Sequence, residues 1–262
     1  MPNLQTETQS EYRGESMESL NVKGLNSNQI KLIAIIAMTI DHVTWLLYPG
    51  CQRIWWVMLL HVIGRLTAPI MWFFIAEGFH YTRNVKRYIL RLFIFAVISH
   101  FAYDFAGGIS FIPNGFFNMT SVMWSLAWSV VLMVIFTTDR LPQWSKILLV
   151  VLLCFITFPS DWSTVAAMCP VYLYLNRGDF KKQSVTMLIW VAIYAAVYFV
   201  FMDKVYGIIQ MFALLSLPIL RNYNGERGNW KGMKWFFYVY YPAHLFVIGF
   251  IRVMMGNGSI FP

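Results

Sequence analysis

The chain has 262 residues, of which 58% are hydrophobic, 18% are aromatic and only 12% are charged, and its formal net charge is +8. Soluble globular proteins carry about 25% charged residues, so this composition excludes that class and indicates a membrane protein. The basic residues fall in short segments between apolar runs. They therefore indicate membrane topology rather than a nucleic-acid partner.

Residues 1–29 are polar, contain several glutamates and lack the basic start of a secretory signal. We predict a disordered cytoplasmic tail over 1–29, followed by a single transmembrane helical domain over 30–262. Cys51, Cys154 and Cys169 show no CxxC spacing. We interpret them as packing or lipid-facing residues, and no metal site is expected.

Nine apolar runs approach the length of about 20 residues that a spanning helix needs. The sequence therefore predicts an all-α polytopic membrane protein with about nine transmembrane helices, within a range of eight to ten. The runs are 30–48, 55–79, 89–105, 119–136, 146–158, 162–178, 185–202, 206–220 and 235–254.

Lysine and arginine set the predicted orientation. With the N-terminus inside, 16 of the 20 basic residues fall in inside segments and only Arg53, Lys204 and Arg252 fall outside. The segments alternate without exception, which favours an odd number of spans with the N-terminus in and the C-terminus out. The remaining basic residue, Arg65, lies within the second run.

Four ionisable residues are expected near the middle of the bilayer: Asp41, His42, Arg65 and His244. Charged groups at that depth are costly, so they pair with each other or line a watery cavity. Asp41 and His42 point about 100° apart on their helix. Asp41 is therefore free to pair with Arg65 while His42 faces a cavity.

Simpler structural roles stay open for each of these residues. Asp41 and Arg65 are also explained by an ion pair that ties two helices together. His42 and His244 are also explained as neutral imidazoles bonded to backbone carbonyls. His61 shares a helix face with Arg65. His100 and Asp104 are expected near water at the outer end, and Glu77 is expected near the inner surface, where pairing with a loop explains it.

Five segments in this order resemble the TraX family: "KLIAIIAMTIDH", "GRLTAPIMWFFIAEGFHYTRNVKRYILRLFIFAVIS", "SDW", "LLSLPILRNYNGERG" and "KWFFYVYYPAHL". The resemblance covers residues 30–250. One departure is the stretch "FAYD", where the family often has Pro-Phe-Asp, so Asp104 is matched and its neighbours are not.

The resemblance implies a transmembrane acetyltransferase in the bacterial cytoplasmic membrane. The founding member acetylates the N-terminus of a membrane-inserted pilin, and the family is similar to enzymes that take acetyl groups from cytosolic acetyl-CoA. The positions carried over are Asp41, His42, Arg65, Glu77 and His244. The acceptor stays open between a pilin or other protein N-terminus, a glycan and a lipid headgroup.

The residue types fit this chemistry. Histidine is the usual general base, an aspartate orients the imidazole, and an arginine stabilises a developing oxyanion. We expect His42 to be the base, with His244 as its rival. We expect basic inner residues to hold the phosphates of acetyl-CoA at the mouth of a tunnel, although topology alone also explains those charges. These residues are Arg83, Lys86, Arg87 and Arg177, together with Asn224.

Two functions of other classes remain as alternatives. Ionisable residues within spans also mark proton-coupled transporters. His42, His61, His100 and His244 also offer axial ligands for a haem in a membrane electron carrier. Proton-driven flux without acyl turnover supports the first alternative, and a Soret absorption band supports the second.

Overall fold

The computed structural model describes residues 24–111 and 119–256, which are almost entirely helical. The helices are α1 (Ser27–Leu47), α2 (Trp55–Gly64), α3 (Thr67–Tyr81), α4 (Val85–Gly107), α5 (Val122–Thr137), α6 (Gln143–Thr157), α7 (Ser163–Leu175), α8 (Phe180–Phe201), α9 (Lys204–Gln210), a 3-10 turn (Met211–Leu215), α10 (Ser216–Arg221) and α11 (Met233–Met254).

The all-helical prediction is confirmed for the described residues, whereas the count of nine spans is not. Six helical segments are long and apolar enough to cross a membrane: Ser27–Leu47, Trp55–Tyr81, Val85–Gly107, Phe180–Phe201, Lys204–Arg221 and Met233–Met254. The other three predicted runs coincide with α5, α6 and α7, which are shorter apolar helices.

The surface of the bundle is strongly apolar. Helix α6 buries only Leu153 and Thr157, and it exposes large side chains such as Trp144 and Phe155 along its length. A water-facing helix places charged or polar residues on that side. Together with the six long apolar segments, these exposed side chains show a multi-pass membrane protein.

The second predicted span is interrupted at Arg65, where α2 ends and α3 begins after a short turn. Pro69 explains the interruption. A proline has no N–H to donate to the carbonyl four residues earlier, which belongs to Arg65, and its ring crowds that carbonyl. The break lies within the 27-residue segment Trp55–Tyr81.

Helix α1 begins at Ser27, three residues earlier than predicted, so the domain starts before residue 30. Asn26 caps the helix in a capping box with Gln29. The preceding residues pair with the loop before α11: Leu25 N–H donates to Asn222 O at 2.7 Å, and Asn224 N–H donates to Leu25 O at 3.0 Å. The tail predicted over 1–29 lies mostly outside the described residues.

Packing places α1 at the centre of the site that follows. Helix α11 packs against both α4 and α1, and α1 also packs against α2 and α3. Helix α7 packs against α3, α5 and α8. In the predicted topology, the loops before α4, α6, α8 and α11 and the helix ends beside them carry most of the basic residues. We call that end of the bundle the basic face and the other end the opposite face.

The orientation is testable with single cysteines in a background where Cys51, Cys154 and Cys169 are replaced by alanine. Lys86→Cys on the basic face should be protected from a membrane-impermeant maleimide in intact cells. Lys204→Cys, an equally exposed lysine on the opposite face, is the matched control and should be labelled. Labelling of Lys86→Cys without permeabilisation would show the reverse orientation.

Candidate functional site

A buried ion pair joins the first two predicted spans. A guanidinium nitrogen of Arg65 lies 2.5 Å from Asp41 Oδ2, and each residue is only 8% exposed. The pairing expected from the sequence is therefore present in the structure. An unpaired charge at this depth costs a large free energy, and the ion pair lowers this cost for both residues.

Further hydrogen bonds fix both partners. Arg65 donates to Gln210 Oε1 at 3.0 Å and, through Nε, to the backbone carbonyl of His61 at 3.3 Å. His61 Nδ1 lies 2.8 Å from Asp41 Oδ1, so it donates to the carboxylate. Gly64 lets the helices approach, because a Cβ there would lie 2.4 Å from Asp41 Cβ. Asp41 is thus held by two donors.

Asp41 has the expected pairing with Arg65, but it does not orient the imidazole of His42. The sequence suggested that a carboxylate orients the His42 imidazole. In the structure both carboxylate oxygens of Asp41 are bonded to His61 and Arg65. Asp41 and His42 are adjacent on α1 and therefore point in different directions, so they belong to two separate networks.

The partner of His42 is His244 on α11. His42 Nδ1 lies 2.7 Å from His244 Nε2, and the two rings are nearly parallel with centroids 5.0 Å apart. His244 Nδ1 lies 2.9 Å from the backbone carbonyl of Tyr240, whose hydroxyl is 2.7 Å from Thr39 Oγ1. The chain of contacts runs from α11 through both imidazoles.

The direction of the protons follows from the last acceptor in that chain. A carbonyl oxygen only accepts, so His244 Nδ1 must donate to Tyr240. In a neutral ring, Nε2 of His244 then has a lone pair and accepts from His42 Nδ1. A neutral His42 consequently carries an unprotonated Nε2. This tautomer is the form that can remove a proton from another molecule.

A cavity of about 1190 Å³ adjoins both networks, and its lining includes Asp41, His42 and Arg65. It runs from the middle of the bundle toward the opposite face, between the ends of α1, α4, α8 and α11 and the loop before α7. His244 reaches the cavity through His42. Ligand cavities typically measure about 300–1,000 Å³, so this one accepts a large ligand or the end of a larger molecule.

The residues expected to bind acetyl-CoA do not line this cavity, which the tunnel expectation required. Arg177 donates to both oxygens of Glu77, at 2.8 and 3.2 Å, and to the Tyr81 hydroxyl. Asn224 lies in the loop paired with Leu25, where its side chain accepts from Glu226 N–H. Exposed basic residues elsewhere on the basic face are Arg83, Lys86 and Arg87.

Three other candidates also lie outside the cavity lining: Glu77, His61 and Asp104. Glu77 is 7% exposed and forms the ion pair with Arg177, which agrees with the structural role left open for it. Asp104 was expected near water, but it is fully buried and lies 3.2 Å from His100 Nδ1. That nitrogen also lies 3.0 Å from Thr120 Oγ1.

Sequence reasoning missed three participants. Gln210 is a neutral side chain in an apolar run, so the sequence gives no sign of its role. Its importance is visible only in the structure, where it is 2% exposed. The Tyr240 carbonyl has no signal in the sequence. Asp161 lines the cavity and belongs to the "SDW" motif, which was noted as part of the family resemblance without a role.

Comparisons with known proteins agree with the resemblance. The family model described as TraX protein matches residues 26–252. A probable fimbrial assembly protein FimC, serogroup H1, from Dichelobacter nodosus is 30% identical over 226 residues, which covers 83% of this chain and 91% of that protein. The uncharacterized protein RP591 from Rickettsia prowazekii (strain Madrid E) is 27% identical over 124 residues, covering 39% and 48%. No solved structure matches.

The central ion pair should dominate stability. Asp41→Asn leaves the buried guanidinium of Arg65 without a counter-charge, and removing one partner of such a pair costs about 3–5 kcal/mol. We expect a large fall in the melting temperature of the purified protein. The double variant with Arg65→Gln should cost less than the sum of the single variants, because neither charge is then left alone.

The matched control is Arg53→Gln, which removes the partner of Asp203 on the opposite face. Those atoms are 3.3 Å apart, but the Arg53 side chain is 66% exposed. Exposed ion pairs contribute little, so the melting temperature should hardly change. Equal falls in melting temperature for Asp41→Asn and Arg53→Gln would show that the buried ion pair contributes no more to stability than the exposed one.

Proposed function

Because the chain belongs to the TraX family, we propose that it is a transmembrane acetyltransferase of a bacterial cytoplasmic membrane. It would move the acetyl group of cytosolic acetyl-CoA to an acceptor at or across the membrane. The observation that carries the proposal is that His42 lines the cavity while its Nδ1 is bonded to His244, from which we infer an unprotonated Nε2. The name of the Dichelobacter relative favours a component of fimbrial assembly as the acceptor, before a glycan or a lipid headgroup.

The proposed reaction needs one base. His42 Nε2 removes the proton from the nucleophilic N–H or O–H group of the acceptor as that group attacks the thioester carbon. The resulting tetrahedral intermediate collapses, the C–S bond breaks, and the proton passes from His42 to the departing CoA sulfur. The products are the acetylated acceptor and CoA. His42 returns to its starting tautomer.

Arg65 is the proposed electrostatic partner of the intermediate. A guanidinium has five N–H groups, and Asp41, Gln210 and the His61 carbonyl accept from three of them. Arg65 also lines the cavity, so its remaining N–H groups are available to an oxyanion there. Its own position is fixed beforehand by Asp41, which is the part that Asp41 plays in this mechanism.

The haem alternative has no support from the geometry of the two central histidines. His42 and His244 bond to each other in nearly parallel stacking, so neither ring is placed to bind the opposite faces of a haem iron. Transport remains the rival function. Flux of a solute through proteoliposomes without any acetyl transfer would support it.

Acetyl transfer can be measured in inverted membrane vesicles, which present the basic face to the medium. We supply radioactive acetyl-CoA and count label in the protein, glycan and lipid fractions, together with released CoA thiol. His42→Ala should lower transfer by about 10²–10⁴-fold, the usual contribution of a general base. His80→Ala, an exposed histidine at the end of α3, is the control and should match wild type.

Near-wild-type transfer by a folded His42→Ala variant would remove His42 from the mechanism. Absence of transfer in vesicles that contain correctly folded wild-type protein and an acceptor from the native host would remove the proposed activity itself.

His244 should act through His42 rather than on the substrate. His244→Ala removes the acceptor for His42 Nδ1–H, so the proton is free to move to Nε2 and the base is lost part of the time. In His244→Gln, an amide oxygen can still accept that hydrogen bond. We therefore expect transfer to fall in the order wild type, His244→Gln, His244→Ala, His42→Ala. A His244→Ala loss larger than that of His42→Ala would make His244 the base.

A further inference from the structure

The "SDW" segment forms an unusual turn in the cavity wall. Trp162 has a φ of +61° and Ser163 a φ of +49°, so two consecutive residues with side chains adopt the left-handed region. Such conformations cost of order 1–3 kcal/mol each, and they cluster at functional sites. Interactions with the surrounding residues must therefore stabilise this turn.

Backbone hydrogen bonds and ring packing provide that stabilisation. Thr120 N–H donates to Pro159 O at 3.1 Å, and Asp161 N–H donates to Thr120 O at 2.8 Å. The Trp162 ring is buried, stacks on Tyr194 with centroids 4.4 Å apart and meets Trp72 edge-on at 5.3 Å. The arrangement anchors Trp162 in the core and leaves the preceding residue, Asp161, on the cavity wall.

The Asp161 carboxylate lacks an ionic partner in the part of the chain that the structure describes. The neighbouring cation is Arg65, whose guanidinium carbon lies 5.7 Å from the centre of the Trp162 ring. Arg65 is already paired with Asp41 at 2.5 Å. Asp161 and Asp41 therefore share the charge of Arg65, and the Asp161 carboxylate also accepts a hydrogen bond from the Trp162 backbone N–H. A carboxylate has about four acceptor sites, so a donor group that enters the cavity can bind to those that remain.

The composition of the wall indicates what can enter. Aromatic rings of Tyr103, Trp162, Tyr194 and Tyr241 line the cavity with Asp161, and it extends toward the opposite face. The charged lining residues are Asp41 and Asp161 together with Arg65 and Arg252, so the wall has no excess positive charge to hold the polyanionic phosphates of CoA. A ligand with an apolar part that packs against aromatic rings, and with a hydrogen-bond donor for Asp161, fits this wall better than CoA does.

We propose that this cavity binds the acetyl acceptor and that the Asp161 carboxylate accepts a hydrogen bond from the nucleophilic amine of the acceptor. The inference rests on the acetyltransferase function proposed above and assigns one of its two substrates a place. Asp161 positions the nucleophile and His42 removes its proton, so the two residues act on the same group from different walls.

The number of hydrogens on the nucleophile separates the two acceptor chemistries. A primary amine has one hydrogen for Asp161 and another for His42, whereas a hydroxyl has a single proton for both acceptors. The product shows whether an amine or a hydroxyl group reacts. Neutral hydroxylamine releases acetyl groups from oxygen esters and leaves acetyl amides intact.

The test compares Asp161→Ala and Asp161→Asn with wild type in the vesicle assay, with acetyl-CoA varied. We expect Asp161→Ala to lower maximal transfer at least tenfold while the apparent KM for acetyl-CoA stays within about twofold. Asp161→Asn keeps the size and one acceptor oxygen, so it should recover part of the transfer. Melting temperatures establish that each variant is folded.

The matched control is Asp179→Asn, which changes an exposed carboxylate that caps α8 and contacts Lys182 on the basic face. It should transfer at the wild-type rate. Wild-type transfer by Asp161→Ala would overturn the proposal, and so would a raised KM for acetyl-CoA, because Asp161 would then serve the donor. If wild type itself transfers no acetyl group, both the proposed function and this inference fall; if only Asp161 has no effect, the function stands.

Discussion

The buried contact between Asp41 and Arg65 is the constraint on which the rest of the site depends. Neither charge is tolerated alone in a membrane interior, so each residue determines where the other must lie. Pro69 interrupts the second span at Arg65, and Gly64 permits α1 to come close enough for the contact. Gln210 then ties the segment that begins with α9 to the same guanidinium. Three stretches of chain therefore meet at the guanidinium of Arg65.

That pairing has a consequence for the neighbouring residue. Once Asp41 is bonded to Arg65 and His61, no carboxylate is left on α1 to orient His42. The orientation comes instead from α11, through His244 and the Tyr240 carbonyl. The adjacent residues of the Asp-His pair therefore belong to separate networks: Asp41 pairs with the cation, and His42 bonds to His244 and lines the cavity.

Much of this could be predicted from the sequence, because depth in a membrane follows from position along an apolar run. The nine runs coincide with helical segments, and Asp41, His42, Arg65 and His244 were placed at one level by counting residues. The lengths of α5 and α7 were overestimated, since apolar flanking residues belong to loops as well as helices. Partner choice was not predictable: whether Asp41 meets His42 or His61 depends on the rotation of α2 against α1.

Other parts of the site have no local signal at all. The turn with positive φ values at Trp162 and Ser163 is flanked by the hydrogen bonds of a distant residue, Thr120, so the position of Asp161 in the cavity wall is not visible in its own motif. The partner of one residue in the expected basic cluster was also not visible in the sequence. Charges such as Arg177 were assigned to a ligand from topology, yet a buried glutamate one hundred residues earlier in the chain accepts both of its hydrogen bonds.

The distribution of charge gives the molecule a direction. Exposed cations lie on the basic face, whereas the lining of the cavity that reaches the opposite face combines Asp41 and Asp161 with Arg65, Arg252 and many aromatic rings. A polyanion is attracted to the first surface, whereas the second carries equal numbers of the two charges. In the proposed reaction the donor would therefore be bound from the basic face and the acceptor from the opposite face, and the two would meet at the level of His42.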